Sequence, residues 1–280
     1  MATQRDNPWD HPEWHGLARE ASLATGLICT GVNGLGRATY ADLGPYYVAL
    51  FGISNGVERL GKLVFVVDHR LTHGTFPDSA ALRGLGHRLG DIFAVVQAIE
   101  STRNLNLTFK YPTDEITDTI VESLTVFADA ARGRYANFES LNGALSAHDP
   151  ISYWWSHTGE AILQRHFYGS TREQKAIFNA SLVDYMAKDF AAVLHHSETG
   201  EDITTMYNGS LQTAKNAIVQ QYGRFYVLRL VRWMSDIFGS LTSHGAYQAR
   251  DPVLFGHEEH VSTFRVTDEF LLRRKRWPLS

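Results

Sequence analysis

This sequence of 280 residues has a single cysteine, no long apolar run and no excess of basic residues. Cys29 has no second cysteine with which to form an internal disulfide, so a reducing compartment is expected. The densest apolar patch, Leu63–Val67, is far shorter than the roughly 20 residues of a membrane-spanning helix, so no membrane association is expected. The N-terminal residues are polar and aromatic, without the apolar core of a secretory signal. These absences predict a cytoplasmic protein.

Charge and composition narrow the class of protein further. The 26 basic and 30 acidic side chains give a net charge of -4, which argues against a large nucleic-acid surface but leaves room for a local basic patch. No zinc-type spacing of cysteine and histidine is present, and no cofactor is predicted. Because no linker rich in proline, glycine or serine divides the chain, we expect one domain over residues 1–280, with 148–169 as a possible internal boundary.

Two apolar stripes predict a pair of helices near the middle of the chain. Steps of three and four residues connect the apolar side chains in each stripe, which is the spacing of one helix face. The first stripe is Ile53, Val57, Leu60, Val64, Val67 and Leu71, and the second is Leu82, Leu85, Leu89, Ile92, Val96 and Ile99. Gly74 and Pro77 separate the two. We expect an antiparallel hairpin of residues 46–73 and 79–101, packed through Leu60, Val64, Leu85 and Leu89.

The rest of the chain also has helical rather than alternating spacing. Further helices are predicted over Ile116–Ala131, from Asp149–Pro150 onward, and from Ser170, which forms a capping box with Glu173, to about Ser197. A last helical region begins at about Asp202 and forms either one long helix or two helices with a break near Gly223. No persuasive strand pattern is present. The predicted fold class is all-α.

His87 is the first candidate functional residue. If residues 79–101 form one helix, Arg83 and Asp91 lie one turn on either side of His87, opposite the apolar stripe. Gly90, Ala94 and Ala98 share that face, and such small residues indicate that another helix or subunit approaches closely. One interpretation is a buried polar cluster that fixes packing. The other is a catalytic or binding imidazole whose tautomer is set by Asp91.

Three short motifs resemble the HEPN superfamily of small helical domains. They are Glu58-Arg59-Leu60-Gly61-Lys62-Leu63, Gly86-His87-Arg88-Leu89 and Arg134-Tyr135-Ala136-Asn137-Phe138. The resemblance covers about residues 45–140. It implies an up-and-down helical bundle, often a homodimer, of a bacterial toxin–antitoxin, phage-defence or stress system.

The resemblance also implies an activity and roles for particular residues. Active members of the family share a metal-independent ribonuclease site. In that site a histidine transfers a proton, and an arginine stabilises charge on the phosphoryl group. The implied catalytic residues are His87, Arg83 and Asp91. The implied RNA-binding or supporting residues are Arg88, Arg134, Asn137, Glu58 and Lys62. The implied partners are a second copy, RNA, and an antitoxin or defence-system protein.

Other interpretations remain open alongside this one. Only three residues separate Arg83 from His87, one fewer than the family motif has, and non-catalytic members act as protein-interaction modules. His257 and His260 are one turn apart, a spacing that a metal ion can use. The two interpretations are the metal site of a metal-dependent hydrolase and a solvated polar turn. The basic tail Arg273–Trp277 predicts either a phosphate contact or a solvated helix end.

Overall fold

A computed structural model of the protein describes residues 7–128 and 149–278. Helix accounts for 73% of the structure and strand for 2%, so the predicted all-α class is confirmed. The helices are α1 (Pro12–Leu35), α2 (Gly44–His73), α3 (Ser79–Gly84), α4 (Leu89–Arg103), α5 (Glu115–Ala128), α6 (Pro150–Trp154), α7 (Glu160–His166), α8 (Thr171–Ala187), α9 (Met206–Tyr247) and α10 (Asp268–Arg273).

Shorter elements complete the chain. A π-helical turn, Trp155–Gly159, joins α6 to α7, and 3-10 turns occupy Pro8–Asp10, Pro252–Leu254 and His257–Phe264. Two short strands, β1 (His195–His196) and β2 (Asp202–Ile203), pair antiparallel. Within the described ranges, none of the helices has the length and apolar character required to cross a membrane.

Helices α1 and α2 pack closely because small residues line their contact. A Cβ atom at Gly52 would lie 2.7 Å from the carbonyl oxygen of Leu27, and one at Gly56 would lie 3.0 Å from that of Ala24. The order of these contacts shows that α1 and α2 run antiparallel. Larger side chains at the two glycines would force the backbones apart.

Helix α9 is the central element of the core. It runs for 42 residues without a break at Gly223, which settles the question that the sequence left open. Gly223 is buried, and a Cβ atom there would lie 3.3 Å from the side chain of Leu35, so this glycine permits close packing against α1. Trp233, Met234 and Phe238 of α9 are fully buried, and the core that includes them extends from Leu17 to Trp277.

The predicted antiparallel hairpin is wrong, because α2 and α4 pack side by side but run parallel. Glu58 contacts His87 just before α4, and Asp68 accepts a hydrogen bond from Arg103 at the end of α4. The chain that includes α3 returns from the end of α2 to the level of Glu58 before α4 begins. Leu60 and Val64 of α2 and Leu89 and Val96 of α4 are fully buried, as the two stripes predict. The single helix predicted over 79–101 is wrong, because α3 ends at Gly84 and α4 begins at Leu89. Gly86 adopts a positive φ of 64°, which a continuous helix does not allow. Leu82 and Leu85, both before the break, are only partly buried.

The region after Ser170 also differs from the prediction. The Ser170 hydroxyl caps α8 by accepting a hydrogen bond from the backbone N–H of Arg172 at 3.2 Å, as predicted. The helix ends at Ala187, not near Ser197, and the β1–β2 hairpin follows. Strands of two residues are too short to produce an alternating pattern, so the sequence did not reveal them. Gly200, at φ 85°, lies in the turn between them.

Candidate functional site

His87 lies in the link between α3 and α4, where its imidazole contacts α2. The Nδ1 atom of His87 is 2.8 Å from Oε1 of Glu58, and the Lys62 ammonium group donates to the same oxygen at 2.8 Å. The side chain of His87 is 81% exposed, whereas that of Glu58 is 14% exposed. A largely buried carboxylate therefore holds an exposed imidazole and a lysine one helical turn away.

The contact with Glu58 fixes the tautomer of neutral His87. An ionised carboxylate only accepts hydrogen bonds, so Nδ1 must carry the proton. The lone pair of a neutral imidazole is then on Nε2, for which no partner is found within residues 7–128 and 149–278. This arrangement leaves an oriented, solvent-accessible base, which can take up a proton and return it.

Asp91, expected to orient His87, does not do so. Its carboxylate lies 3.6 Å from the Arg88 guanidinium, and both side chains are exposed. Arg83 is exposed on α3, so the break before α4 separates Arg83, His87 and Asp91 onto three different segments. The interpretation of His87 as part of a buried cluster is also wrong, because its side chain is exposed.

Two further predictions concern the RNA-binding residues Arg134 and Asn137 and the small-residue face of Gly90, Ala94 and Ala98. Arg134 and Asn137 lie outside the described residues. Gly90, Ala94 and Ala98 are exposed, so no other element of the described chain covers this small-residue face. Of the residues that the HEPN resemblance implies, the structure brings together His87, Glu58 and Lys62.

His257 and His260 lie in a 3-10 turn, and their environment is not that of a solvated turn. His257 is fully buried, and its Nε2–H donates to the Val253 carbonyl at 2.9 Å. Burial lowers the pKa of His257 to about 4. Nδ1 of His260 lies 3.1 Å from the Ser22 hydroxyl. Across the described parts of the chain, no three histidine, cysteine or acidic side chains are grouped to hold a metal ion.

The basic tail after α10 is anchored to the bundle rather than solvated throughout. The Asn33 side-chain amide donates to the Trp277 carbonyl and accepts from its N–H, both at 2.8 Å. The Trp277 side chain is buried against Phe264, with ring centroids 5.9 Å apart. The interpretation of this tail as a solvated helix end is therefore wrong for Trp277, although Lys275 and Arg276 are exposed.

Sequence reasoning missed a third group of polar side chains, around His166 at the end of α7. Its ring stacks on Tyr222 with centroids 3.6 Å apart, and its Nε2 lies 2.9 Å from the Tyr226 hydroxyl. Burial, with help from Arg165 and Arg172, lowers the pKa of His166 to about 4. Arg172 also donates to the Tyr222 hydroxyl at 3.0 Å. No sequence motif marks this group, because its members come from three helices.

Comparison of the chain with models of protein families, with curated proteins and with solved structures finds no match. The resemblance to HEPN domains therefore rests on the three short motifs, one of which lies outside the described residues.

Proposed function

We propose that this chain is a HEPN-like cytosolic protein of a bacterial toxin–antitoxin, phage-defence or stress system, and that it cleaves RNA without a metal ion. The observation that supports the proposal is the His87–Glu58 contact, which leaves the Nε2 atom of an exposed imidazole without a partner among the residues that the structure describes. Lys62 and Arg88 place positive charge in the same segment of the molecule. The proposed site consists of His87, Glu58, Lys62 and Arg88, with Arg83 nearby in the chain.

The proposed reaction is an internal transphosphorylation. Nε2 of His87 takes the proton from a ribose 2′-hydroxyl, and the 2′-oxygen forms a bond to phosphorus. The bond from phosphorus to the 5′-oxygen breaks, and the leaving oxygen takes up a proton from the His87 imidazolium, which restores the neutral base. The cations of Arg83 or Arg88 stabilise the charge on the phosphoryl oxygens. The products are a 2′,3′-cyclic phosphate and a 5′-hydroxyl end.

The proposal includes protein partners. A homodimer fits the family resemblance, and an antitoxin or other defence protein would regulate the activity. A second candidate function, a non-catalytic protein-interaction module, is favoured by a separate observation, the apolar surface of α8. Phe178, Tyr185 and Met186 are each more than half exposed on that helix, which is unusual for a surface without a partner.

Incubation of the purified protein with single-stranded RNA and a chelator tests the proposal. We expect cleavage that the chelator does not affect and products with 2′,3′-cyclic phosphate ends. Cleavage that the chelator stops would contradict the metal-independent reaction. Absence of cleavage of any RNA, together with recovery of a specific protein partner, would favour the interaction module.

A further inference from the structure

A basic cavity lies away from His87, where the end of α1, the middle of α9 and the tail after α10 meet. Its volume is about 800 Å³. Five basic side chains line it, namely Arg37, Arg224, Arg273, Lys275 and Arg276, and among the residues that the structure describes no acidic side chain does. In a chain with more acidic than basic residues, this separation of charge gives the cavity a strong positive potential.

Most of these cations have no acidic partner within the described ranges of the chain. Arg273 pairs with Glu269 at 3.0 Å. In residues 7–128 and 149–278 no carboxylate pairs with Arg37, Lys275 or Arg276. Three exposed cations facing one cavity repel one another, and a bound anion would remove that repulsion.

Arg224 adds a buried charge to the wall of the cavity. It is only 8% exposed, and it donates to the carbonyls of Gln220 at 3.0 Å and Lys275 at 2.7 Å. No carboxylate of the described chain pairs with it, and burial lowers its pKa. A buried guanidinium without a counter-charge is costly, because it loses hydration and gains only neutral acceptors.

The wall is held in place before any ligand arrives. The paired hydrogen bonds between Asn33 and the Trp277 backbone fix the tail on α1, and Arg274 lies over the Trp277 ring at 4.8 Å. Gly36 gives room for the Arg224 side chain, since a Cβ atom there would lie 2.8 Å from Nη1 of Arg224. Such preorganisation reduces the entropy that a ligand must overcome on binding.

We propose that this cavity binds the phosphate groups of a small, multiply phosphorylated ligand. Guanidinium groups donate paired hydrogen bonds that match phosphate oxygens, and ammonium groups add charge. The volume lies in the range of small-molecule sites, roughly 300–1,000 Å³. The cavity and its cations are separate from His87, so this proposal does not depend on the proposed RNA cleavage.

Calorimetric titration of the full chain with inorganic tripolyphosphate tests the proposal. We expect saturable binding that weakens about tenfold in each of Arg37→Gln and Arg276→Gln, a loss of about 1.4 kcal/mol. Arg19→Gln, which removes an exposed arginine from the other end of α1, should bind as the wild type does. Gly36→Ala should also weaken binding, because it displaces Arg224 without removing a charge.

Parallel titrations identify the source of the phosphate. A nucleoside triphosphate that binds at least as tightly as tripolyphosphate supports a small ligand. Binding of single-stranded RNA that depends on Arg37 and Arg276, with no binding of either small phosphate, would overturn the small-ligand proposal in favour of a nucleic-acid surface. No binding of any of these probes, or binding that is equal in wild type and variants, would also overturn it.

A second, independent observation concerns the outward surface of α8 and the turn that follows, here called the outer face of α8. Its exposed apolar side chains are Ile177, Phe178, Leu182, Tyr185, Met186 and Phe190. The inward surface of the helix buries only Ala176 and Ala180. Helix α8 therefore exposes more apolar surface than it buries, which marks an interaction site.

Charges at the two ends of the outer face are complementary to each other. Lys175 lies two turns before Leu182 and Asp189 two turns after it, on the same side of the helix. Both are exposed, and neither forms an ion pair within the described residues. Hydrogen bonds from Lys188 N–H to Asp184 and from Ala191 N–H to Ala187 continue the helical course past Asp189.

We infer that the outer face of α8 packs against the same face of a second copy of the chain. The two helices lie antiparallel about a two-fold axis at Leu182. In that arrangement Lys175 of each copy meets Asp189 of the partner, and Phe178 meets Met186. A two-fold interface must be complementary to itself, and a cation, an apolar centre and an anion in this order meet that requirement.

Sedimentation equilibrium tests this second inference. We expect the wild type to dimerise and Leu182→Glu to be monomeric, because two carboxylates would face each other on the axis. Lys175→Asp or Asp189→Lys alone should weaken the dimer several-fold, and the double variant should restore it. Leu182 is exposed, so these variants should keep the wild-type circular dichroism spectrum. A monomeric wild type, or a dimer that Leu182→Glu leaves intact, would overturn the inference.

Discussion

His87 and Glu58 are 29 residues apart in the chain, and their side chains are in direct contact, with 2.8 Å between Nδ1 and Oε1. The contact joins the link before α4 to the middle of α2. Lys62 binds the same carboxylate oxygen. Glu58 thus determines both the orientation of the imidazole and the position of a neighbouring cation.

Removal of this carboxylate should reduce RNA cleavage without removing it. Glu58→Ala eliminates the acceptor for His87, so we expect a loss of about tenfold, smaller than the roughly 100-fold loss expected for the base itself. Glu58→Gln keeps an acceptor oxygen and should lose less. Cleavage rates at saturating RNA measure the effect. Equal rates in Glu58→Ala and wild type would show that Glu58 does not position the imidazole.

The buried contact between α2 and α4 contributes to stability, and the residues before the break between α3 and α4 contribute less. Leu89→Ala should lower the free energy of unfolding by about 2–5 kcal/mol, because Leu89 is fully buried. Leu85→Ala is the matched control, and since Leu85 is only partly buried, we expect a smaller loss. Urea unfolding measures both. Similar losses at the two positions would contradict the break between α3 and α4.

Two glycines near the contact between α2 and α4 provide a comparison of tight and open packing. A Cβ atom at Gly61 would lie 2.3 Å from the Ile92 side chain, whereas one at Gly90 would meet nothing within 4 Å. Gly61→Ala should therefore destabilise the fold by about 1–3 kcal/mol. Gly90→Ala should leave stability unchanged or raise it by up to about 1 kcal/mol. Thermal unfolding of both variants tests this order, and the reverse order would contradict the packing of α2 on α4.

Stability should fall in acid because His257 is buried in its neutral form. Burial lowers its pKa to about 4, below the unfolded value of about 6.5. Between these values the unfolded chain binds more protons, so stability is complete above about pH 6.5 and is lost progressively toward pH 4, by up to roughly 3 kcal/mol. The pKa of His166 is also lowered to about 4, so protonation of His166 likewise reduces stability in acid.

The contribution of His257 can be isolated by substitution. His257→Gln should reduce the difference in unfolding free energy between neutral and acidic solution, while His196→Gln, at an exposed histidine, should not. Urea unfolding over this pH range measures the difference. If His257→Gln retains the full difference, the burial of a neutral imidazole does not account for it.

The buried Glu198 should hold the β1–β2 hairpin on the bundle. Its carboxylate accepts hydrogen bonds from Tyr46 at 3.0 Å, Asn216 at 2.6 Å and Gln212 at 2.7 Å. Glu198→Ala leaves three donors without an acceptor, at a cost of about 1–3 kcal/mol for each one that water cannot reach. Amide hydrogen exchange of residues 195–203 should accelerate. Unchanged exchange there would show that other contacts hold the hairpin.

The sequence revealed the elements that depend on local patterns and missed those that depend on contacts between distant residues. The stripes of α2 and α4 and the cap at Ser170 follow from residue spacing, and all three are present. The break at Gly86 was missed because a glycine inside an apolar period does not by itself end a helix. The pairing of His87 with Glu58 and the basic cavity arise from packing between segments far apart in the chain, which no local pattern reports.

The most direct test of the central claim compares two exposed histidines, each with a carboxylate at its Nδ1. His87 lies 2.8 Å from Glu58, and His196 lies 2.9 Å from Asp202. The measurement is the rate of single-stranded RNA cleavage in the presence of a chelator by wild type, His87→Ala and His196→Ala. The account predicts at least a roughly 100-fold loss in His87→Ala and the wild-type rate in His196→Ala, with the circular dichroism spectrum unchanged in both. Cleavage that persists in His87→Ala, or that is lost equally in both variants, would contradict the assignment of His87 as the base.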